Sequence, residues 1–190
     1  MNLACAVLAA GGSARLGMPK QLLPFDGSNT LVHWAAECAC KSSASRVAVV
    51  VGARSEDIAA SVANLPVEIL NGSGWREGMA ASIRTAALWA VDRGADALML
   101  SVCDQPFLTS RHLNALWFAS EHGKRLAGSY YGGKTCVPAV FPARYFGALL
   151  ALRGEEGGSS ILRRDANVAR VAWPEGAFDI DTPADALVPL

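Results

Sequence analysis

An excess of charge, of either sign, is the first thing this sequence lacks. Its 17 Lys and Arg are matched by 17 Asp and Glu across 190 residues, and no block of basic residues breaks the balance. Nucleic-acid binding draws much of its affinity from neutralised phosphates, so no nucleic-acid partner is expected. Long apolar runs are missing as well. Although 52% of residues are hydrophobic, no stretch approaches the roughly 20 apolar residues of a membrane helix, and no secretory leader pattern opens the chain. The expectation is a soluble, cytoplasmic protein with no membrane partner. The five cysteines (Cys5, Cys38, Cys40, Cys103 and Cys136) include no Cys-x-x-Cys pair. That fits reduced, buried thiols, and the thiols show no nucleophile constellation. His33, His112 and His122 lack ligand spacing.

Two familiar nucleotide signatures are also absent. The apolar run Leu3 to Ala10 reads as a buried strand that ends abruptly in Gly11-Gly12-Ser13, with Arg15 and Lys20 just downstream. Small residues there let backbone N–H groups approach a ligand closely, and such groups suit phosphate oxygens. A dinucleotide fingerprint would need glycine where Ser13 stands. Gly12 and Gly17 have P-loop spacing, but Met18-Pro19-Lys20 follows, and Pro19 opposes a helix starting directly after Gly17. Neither standard loop fits; Arg15 and Lys20 are either solvated loop charges or the cations of a phosphate-binding turn.

Strand-like and helix-like segments alternate along the rest of the chain. Strands are expected at Leu3–Leu8, Arg46–Val51, Val67–Leu70 and Ala97–Val102. Helices are expected at Leu31–Lys41, Ser55–Ala63, Met79–Arg93 and Ser110–Glu121. Continuous Val, Leu and Ala strands between helices imply a mostly parallel sheet covered on both faces. Gly128–Tyr131 and Lys134–Cys136 read as a hairpin around Gly132-Gly133. Ala143–Leu152 returns to helix, a loop and short helix lead to Arg164, and Val168–Ala172 and Ala177–Asp181 are extended. Residues 1–190 are expected to form one domain, large enough for a substantial core.

Three acidic residues stand out. Asp104 follows the strand Ala97–Val102, at the strand end where open parallel sheets place ligands; the alternative is a turn cap for the Ser110 helix. Asp179 and Asp181 alternate with Phe178 and Ile180, so an extended backbone puts both carboxylates on one face. Thr182, Pro183 and Asp185 read as the N-cap, first residue and capping partner of a last helix. Two distant carboxylates can hold one Mg²⁺, which takes water and phosphate oxygens as its remaining ligands. Met79 and Trp89 read as helix core.

Residues 8 to 23, Leu-Ala-Ala-Gly-Gly-Ser-Ala-Arg-Leu-Gly-Met-Pro-Lys-Gln-Leu-Leu, resemble the opening motif of the nucleotidyltransferases that handle the molybdenum cofactor, above all the cytidylyltransferase branch. Only Leu16 departs from that motif, where the family has Met. Asn71, Trp75, Gly78 and Ser82, then Asp104-Gln105-Pro106, Pro138 and Phe141, and Asp179 to Pro183 extend the resemblance in order along nearly the whole chain. The resemblance implies a three-layer, Rossmann-like α/β nucleotidyltransferase fold with a mostly parallel central sheet.

It also implies roles. Arg15 and Lys20 would hold the triphosphate, with Lys20 as the catalytic cation, while Leu8, Ala9, Ala10, Gly11, Gly12 and Ser13 would cradle the nucleotide. Asn71, Gly78 and Ser82 would face base and ribose. Asp104 and Asp181, with Asp179 as substitute, would bind Mg²⁺. The segments Ala9-Ala10-Gly11 and Gly78 to Ser82 are closer to the cytidylyl than to the guanylyl branch, which favours CTP over GTP or ATP. The implied acceptor is molybdopterin, with a molybdoenzyme receiving the product.

Departures from the family pattern matter too. Cys103 stands where the family has glycine. Gly154-Glu155-Glu156-Gly157 replaces a Gly-Asp-x-Gly-x-Arg segment, with Glu155 for Asp and Ser159 for Arg. Pro138 and Phe141 either lie near the acceptor or are plain strand residues. Rival readings are transfer to another phosphorylated metabolite with GTP or ATP, an NAD-binding oxidoreductase, and a non-catalytic nucleotide-binding chaperone.

Overall fold

Seven strands form one sheet in the order β3-β2-β1-β4-β6-β5-β7. The computed structural model describes residues 1–12, 18–25 and 29–180. In chain order the strands are β1 (Leu3–Leu8), β2 (Arg46–Val51), β3 (Glu68–Asn71), β4 (Ala97–Val102), β5 (Ala127–Tyr131), β6 (Lys134–Pro142) and β7 (Ala169–Ala172). Only β6 runs antiparallel to its neighbours. The expected mostly parallel sheet is observed.

The alternation of side chains along each strand sorts the core into two layers. Leu3, Cys5, Val7, Val49 and Met99 face α1 (Leu31–Cys40), α2 (Ser55–Ser61) and α4 (Ser110–Ala119). Ala4, Ala6, Ala48, Leu98 and Leu100 face α3 (Met79–Asp92), α5 (Phe146–Leu150) and α6 (Ser159–Leu162). Against the alanines of β1 and β2, α3 presents Ala80, Ala86, Ala87 and Ala90, all fully buried. Small residues on both partners let this helix lie close to the sheet. Two helices start at threonine caps: the Thr30 and Thr109 side chains accept from the His33 and His112 N–H groups at 3.3 and 3.2 Å. Such caps satisfy amides that the helix itself leaves unpaired.

The structure departs from the sequence-based expectation in two places. β6 runs on to Pro142, whereas the pattern predicts a strand ending at Cys136. Pro138, which has no N–H to donate, lies within β6, and the β5–β6 register shifts between Gly128 and Ser129, so that Gly128 pairs with Ala139 and Ser129 with Cys136. The Ser129 hydroxyl then donates to the Pro138 carbonyl at 2.8 Å. Toward the C terminus, a 3₁₀ turn over Pro174–Ala177 takes up Ala177, and 178–180 pair with no strand. The expected helix around Thr182, Pro183 and Asp185 lies outside the described residues. Among those described, no helix is long and apolar enough to cross a membrane.

His112 is buried under the sheet edge, stacked on Trp173 with ring centroids 4.4 Å apart and with Nε2 2.8 Å from the Ser129 hydroxyl. Burial pushes its imidazole down from the ordinary 6.5 to about 4, a shift that Glu175 only partly opposes. The folded chain therefore holds this ring neutral while the unfolded chain protonates it. The resulting stabilisation is fully present above pH 6.5 and is lost as pH falls from 6.5 to 4, amounting to at most about 3 kcal/mol. Urea unfolding at pH 7, 5.5 and 4 should show this loss, and H112Q should flatten the slope over that window. An unchanged slope would exclude His112 as its source.

Candidate active site

The site arises where the chain reverses direction across the sheet. From β1 the chain steps to β2 and β3, then returns past β1 to form β4 on its other side. Loops after the adjacent strands β1 and β4 therefore leave in opposite directions, opening a crevice at their carboxyl ends. A cleft of about 620 Å³ lies there, lined by Leu8 through Gly12, Lys20, Gly78, Ser82, Val102 and Asp104 among others. Its volume falls within the range of small-molecule sites.

The floor is the glycine turn. β1 is tied to β2 by the Ala9 N–H on the Val50 carbonyl (2.9 Å), and the Ala53 N–H reaches the Ala10 carbonyl (3.1 Å). Beneath the turn sits Gln21, 1% exposed, whose amide donates to the Ala9 and Gly11 carbonyls at 3.0 and 2.6 Å. These bonds hold the turn in one shape from below. Trp75 closes it from the side, and only glycine leaves room for the indole. A Cβ on Gly52 would sit 2.7 Å from both the Ala10 carbonyl oxygen and the Trp75 ring, and one on Gly12 would sit 3.3 Å from that ring.

The far wall carries the charged chemistry. Lys20 Nζ lies 2.5 Å from Asp104 Oδ2, with both side chains about four-fifths buried (19% and 18% exposed). The other carboxylate oxygen, Asp104 Oδ1, is buried and has no hydrogen-bond partner among the described residues. A buried acceptor without a donor is costly unless a ligand satisfies it. The loop that holds it is well anchored. The Gln105 amide donates to the Tyr131 hydroxyl and the Gly176 carbonyl, each at 3.1 Å. The Ile180 N–H bonds to the Asp104 carbonyl at 3.0 Å, which brings Asp179 to within one residue of that contact. Cys103 also lines the cleft, and burial pushes its thiol far up, so it stays protonated.

The third wall is the start of α3 and the loop that clasps it. Gly78 has φ 125°, and a Cβ there would meet the Gly154 carbonyl oxygen at 2.5 Å and the Glu155 carboxyl carbon at 2.9 Å. The Gly154 carbonyl accepts from the Ala80 N–H at 3.0 Å. Arg84 binds both Glu77 oxygens (2.9 and 2.6 Å) and the Leu152 carbonyl (2.9 Å). Glu155 thereby joins the cleft lining.

Of the residues singled out in the sequence, Leu8, Ala9, Ala10, Gly11, Gly12, Lys20, Gly78, Ser82 and Asp104 line this one cleft. Asn71 ends β3 exposed and does not line it. Ser13, Arg15 and Asp181 lie outside the described residues. Met79 is a correction: it was expected in the helix core, yet it is 42% exposed and lines the cleft, because it opens the helix instead of facing the sheet. Trp89 is core, 5% exposed. Phe141 is fully buried in the sheet core, so it is a strand residue. Sequence reasoning missed Gln21 and Arg76. A polar residue within the apolar run after Lys20 was the available signal for Gln21.

Comparison with known proteins agrees with this geometry. A family model described as the MobA-like NTP transferase domain matches residues 5–169. The chain belongs to that family. Its curated relatives include the purine catabolism protein PucB of Bacillus subtilis (strain 168), 30% identical over 193 residues that cover 94% of this chain and 91% of PucB. Nicotine blue oxidoreductase of Paenarthrobacter nicotinovorans is 30% identical over 125 residues, 65% of this chain and 60% of that protein. Among solved structures, Rv0371c of Mycobacterium tuberculosis H37Rv superposes with TM-score 0.80 at 27% identity, covering 97% of this chain and 95% of the other. The same protein in complex with manganese superposes with TM-score 0.73 at 22% identity, covering 97% and 96%. The fold is thus the three-layer α/β fold of nucleotidyltransferases.

Gly78→Ala should destabilise the fold by about 1–3 kcal/mol, through both its left-handed φ and the clash with Gly154. It should also loosen the clasp, seen as faster amide hydrogen exchange at 153–156. A variant as stable as the parent, with unchanged exchange, would show that the clasp does not depend on the glycine.

Proposed function

We propose that this protein transfers CMP from CTP onto the terminal phosphate of molybdopterin, releasing pyrophosphate. The observation that carries this reading is the Lys20–Asp104 pair with its orphaned carboxylate oxygen, set beside a glycine turn at the switch point of the sheet. In the reaction, a phosphate oxygen of the acceptor attacks the α-phosphorus of the nucleotide. The bond from that phosphorus to the oxygen bridging to the β-phosphate breaks, and pyrophosphate leaves with the electron pair. The acceptor already carries an oxyanion, so neither a protein nucleophile nor a general base is needed.

Lys20 has two partners in this scheme. In the free protein its ammonium neutralises Asp104. With nucleotide present it turns to the phosphates, where it offsets the charge that builds as the α-phosphoryl group is displaced. Arg15 would bind the same triphosphate. Asp104 Oδ1 is a hard, buried oxygen donor with no other partner among the described residues, which suits Mg²⁺. Asp104 and Asp181 would hold the ion, Asp179 being the alternative second carboxylate. When bound, the ion neutralises phosphate charge and aligns the α-phosphate for in-line displacement. The manganese complex of the mycobacterial relative supports a divalent ion in this fold.

The base and ribose would lie toward Gly78 and Ser82, and a molybdoenzyme would take up the product. The similarity to PucB and to nicotine blue oxidoreductase supports membership of the family without deciding the acceptor. A second substrate set, GTP or ATP with another phosphorylated metabolite, uses the same machinery and differs only in what the cleft admits.

The decisive experiment is a pyrophosphate-release screen of CTP, GTP and ATP against molybdopterin and a panel of phosphorylated metabolites, with Mg²⁺ or Mn²⁺. Release with CTP and molybdopterin is the expected result; no release with any pair would overturn the reading. Asp104→Ala should abolish release while leaving the circular dichroism spectrum unchanged. Lys20→Ala should lower kcat about a hundredfold and change nucleotide affinity far less. A loss mainly in affinity would demote Lys20 to a binding role.

A further inference from the structure

We infer that Glu155 reads the nucleotide base, accepting a hydrogen bond from an exocyclic amino group and so rejecting uridine nucleotides. The inference rests on the nucleotidyl-transfer reading above and adds a residue that decides between bases. In the reading above the phosphates meet the glycine turn, Lys20 and Asp104, and base and ribose lie toward the end with Gly78 and Ser82. That end is built from Gly78, Met79 and Ser82 at the start of α3, and from Glu155. Gly78 lacks a side chain, and this absence lets the Glu155 carboxyl group lie against it: a Cβ on Gly78 would be 2.9 Å from the carboxyl carbon. The carboxylate makes no hydrogen bond or ion pair with any described residue, so its acceptor capacity is available to a ligand. Arg76, which also lines the cleft, stacks over the Trp75 ring at 4.7 Å.

The backbone on both sides of Glu155 is tied down, while its side chain is exposed. Gly154, one residue earlier, accepts from the Ala80 N–H at 3.0 Å, and Arg84 ties the preceding Leu152 carbonyl to Glu77. Glu156, one residue later, is turned back onto its own loop, where it accepts from the Arg153 N–H at 3.0 Å. Only Glu155 of this acidic pair lines the cleft.

An ionised carboxylate accepts hydrogen bonds and cannot donate them. Cytosine presents an amino group at the position where uracil presents a carbonyl oxygen. Against Glu155 the first forms a charge-assisted bond and the second faces like-polarity repulsion. Glu155 is exposed where it lines the cleft, so the discrimination arises as the bound base itself covers the carboxylate and a wrong base leaves it covered and unpaired.

The test compares CTP with UTP in pyrophosphate release and in calorimetric binding with Mn²⁺, for the parent, Glu155→Gln, Glu155→Ala and Glu156→Gln. The parent should prefer CTP. Glu155→Gln can turn its amide to donate to the uracil oxygen, and should narrow the CTP-to-UTP ratio of kcat/KM at least tenfold. Glu155→Ala should narrow it by weakening CTP, and Glu156→Gln should leave it unchanged. If the parent prefers CTP and both Glu155 variants keep its ratio, the role given to Glu155 is overturned and nucleotidyl transfer stands. A change confined to the KM of the acceptor overturns it equally. If the parent turns over neither CTP nor UTP but releases pyrophosphate from GTP or ATP, the role given to Glu155 is overturned and nucleotidyl transfer stands; if it binds and turns over none of the four, nucleotidyl transfer itself fails.

Discussion

The contact between Lys20 and Asp104 is the constraint around which the rest is arranged. It joins two loops that leave neighbouring strands in opposite directions, 84 residues apart in sequence. A cation and a carboxylate this close and this buried stabilise each other only while both remain in place. Each is also what a phosphate–metal ligand would engage. The pair therefore fixes the shape of the cleft between the two loops.

Packing around that pair serves one end, a close approach of backbone to ligand. Gln21 takes the carbonyls of the glycine turn from below, and Trp75 lies over Gly12 and Gly52, where any side chain would collide with it. The alanine face of α3 against the alanines of β1 and β2 brings the start of that helix to the rim of the same cleft. Gly78 then admits the 154–155 loop. In the turn and the clasp, glycines (Gly12, Gly52 and Gly78) leave room for the larger side chains that pack against them.

Much of this was legible in the sequence because it is local. The apolar run from Leu3 ending in Gly11-Gly12, and Asp104 after the strand Ala97–Val102, both state their geometry in consecutive residues. Gly78 and Ser82 were visible only through the ordered motif, since nothing local distinguishes a glycine that admits a clasp from one that ends a helix. Met79 misled because helical spacing gives the face of a residue and not its distance from the helix end. Strand β6 runs past the expected end at Cys136, and nothing in the local pattern after Cys136 announces the extra residues. The β5 register shift beside them belongs to another strand.

Sequence alone determined the order of strands and helices, the balance of charge, and the glycine turn after β1, because hydrophobic period and turn chemistry act over a few neighbouring residues. Tertiary structure decided which loops meet. It paired Lys20 with Asp104, left Oδ1 without a donor among the described residues, set Gln21 under the turn, and brought Glu155 against Gly78. Those relations depend on the strand order β3-β2-β1-β4 and on close packing between segments tens of residues apart. No local pattern encodes a distance of that kind.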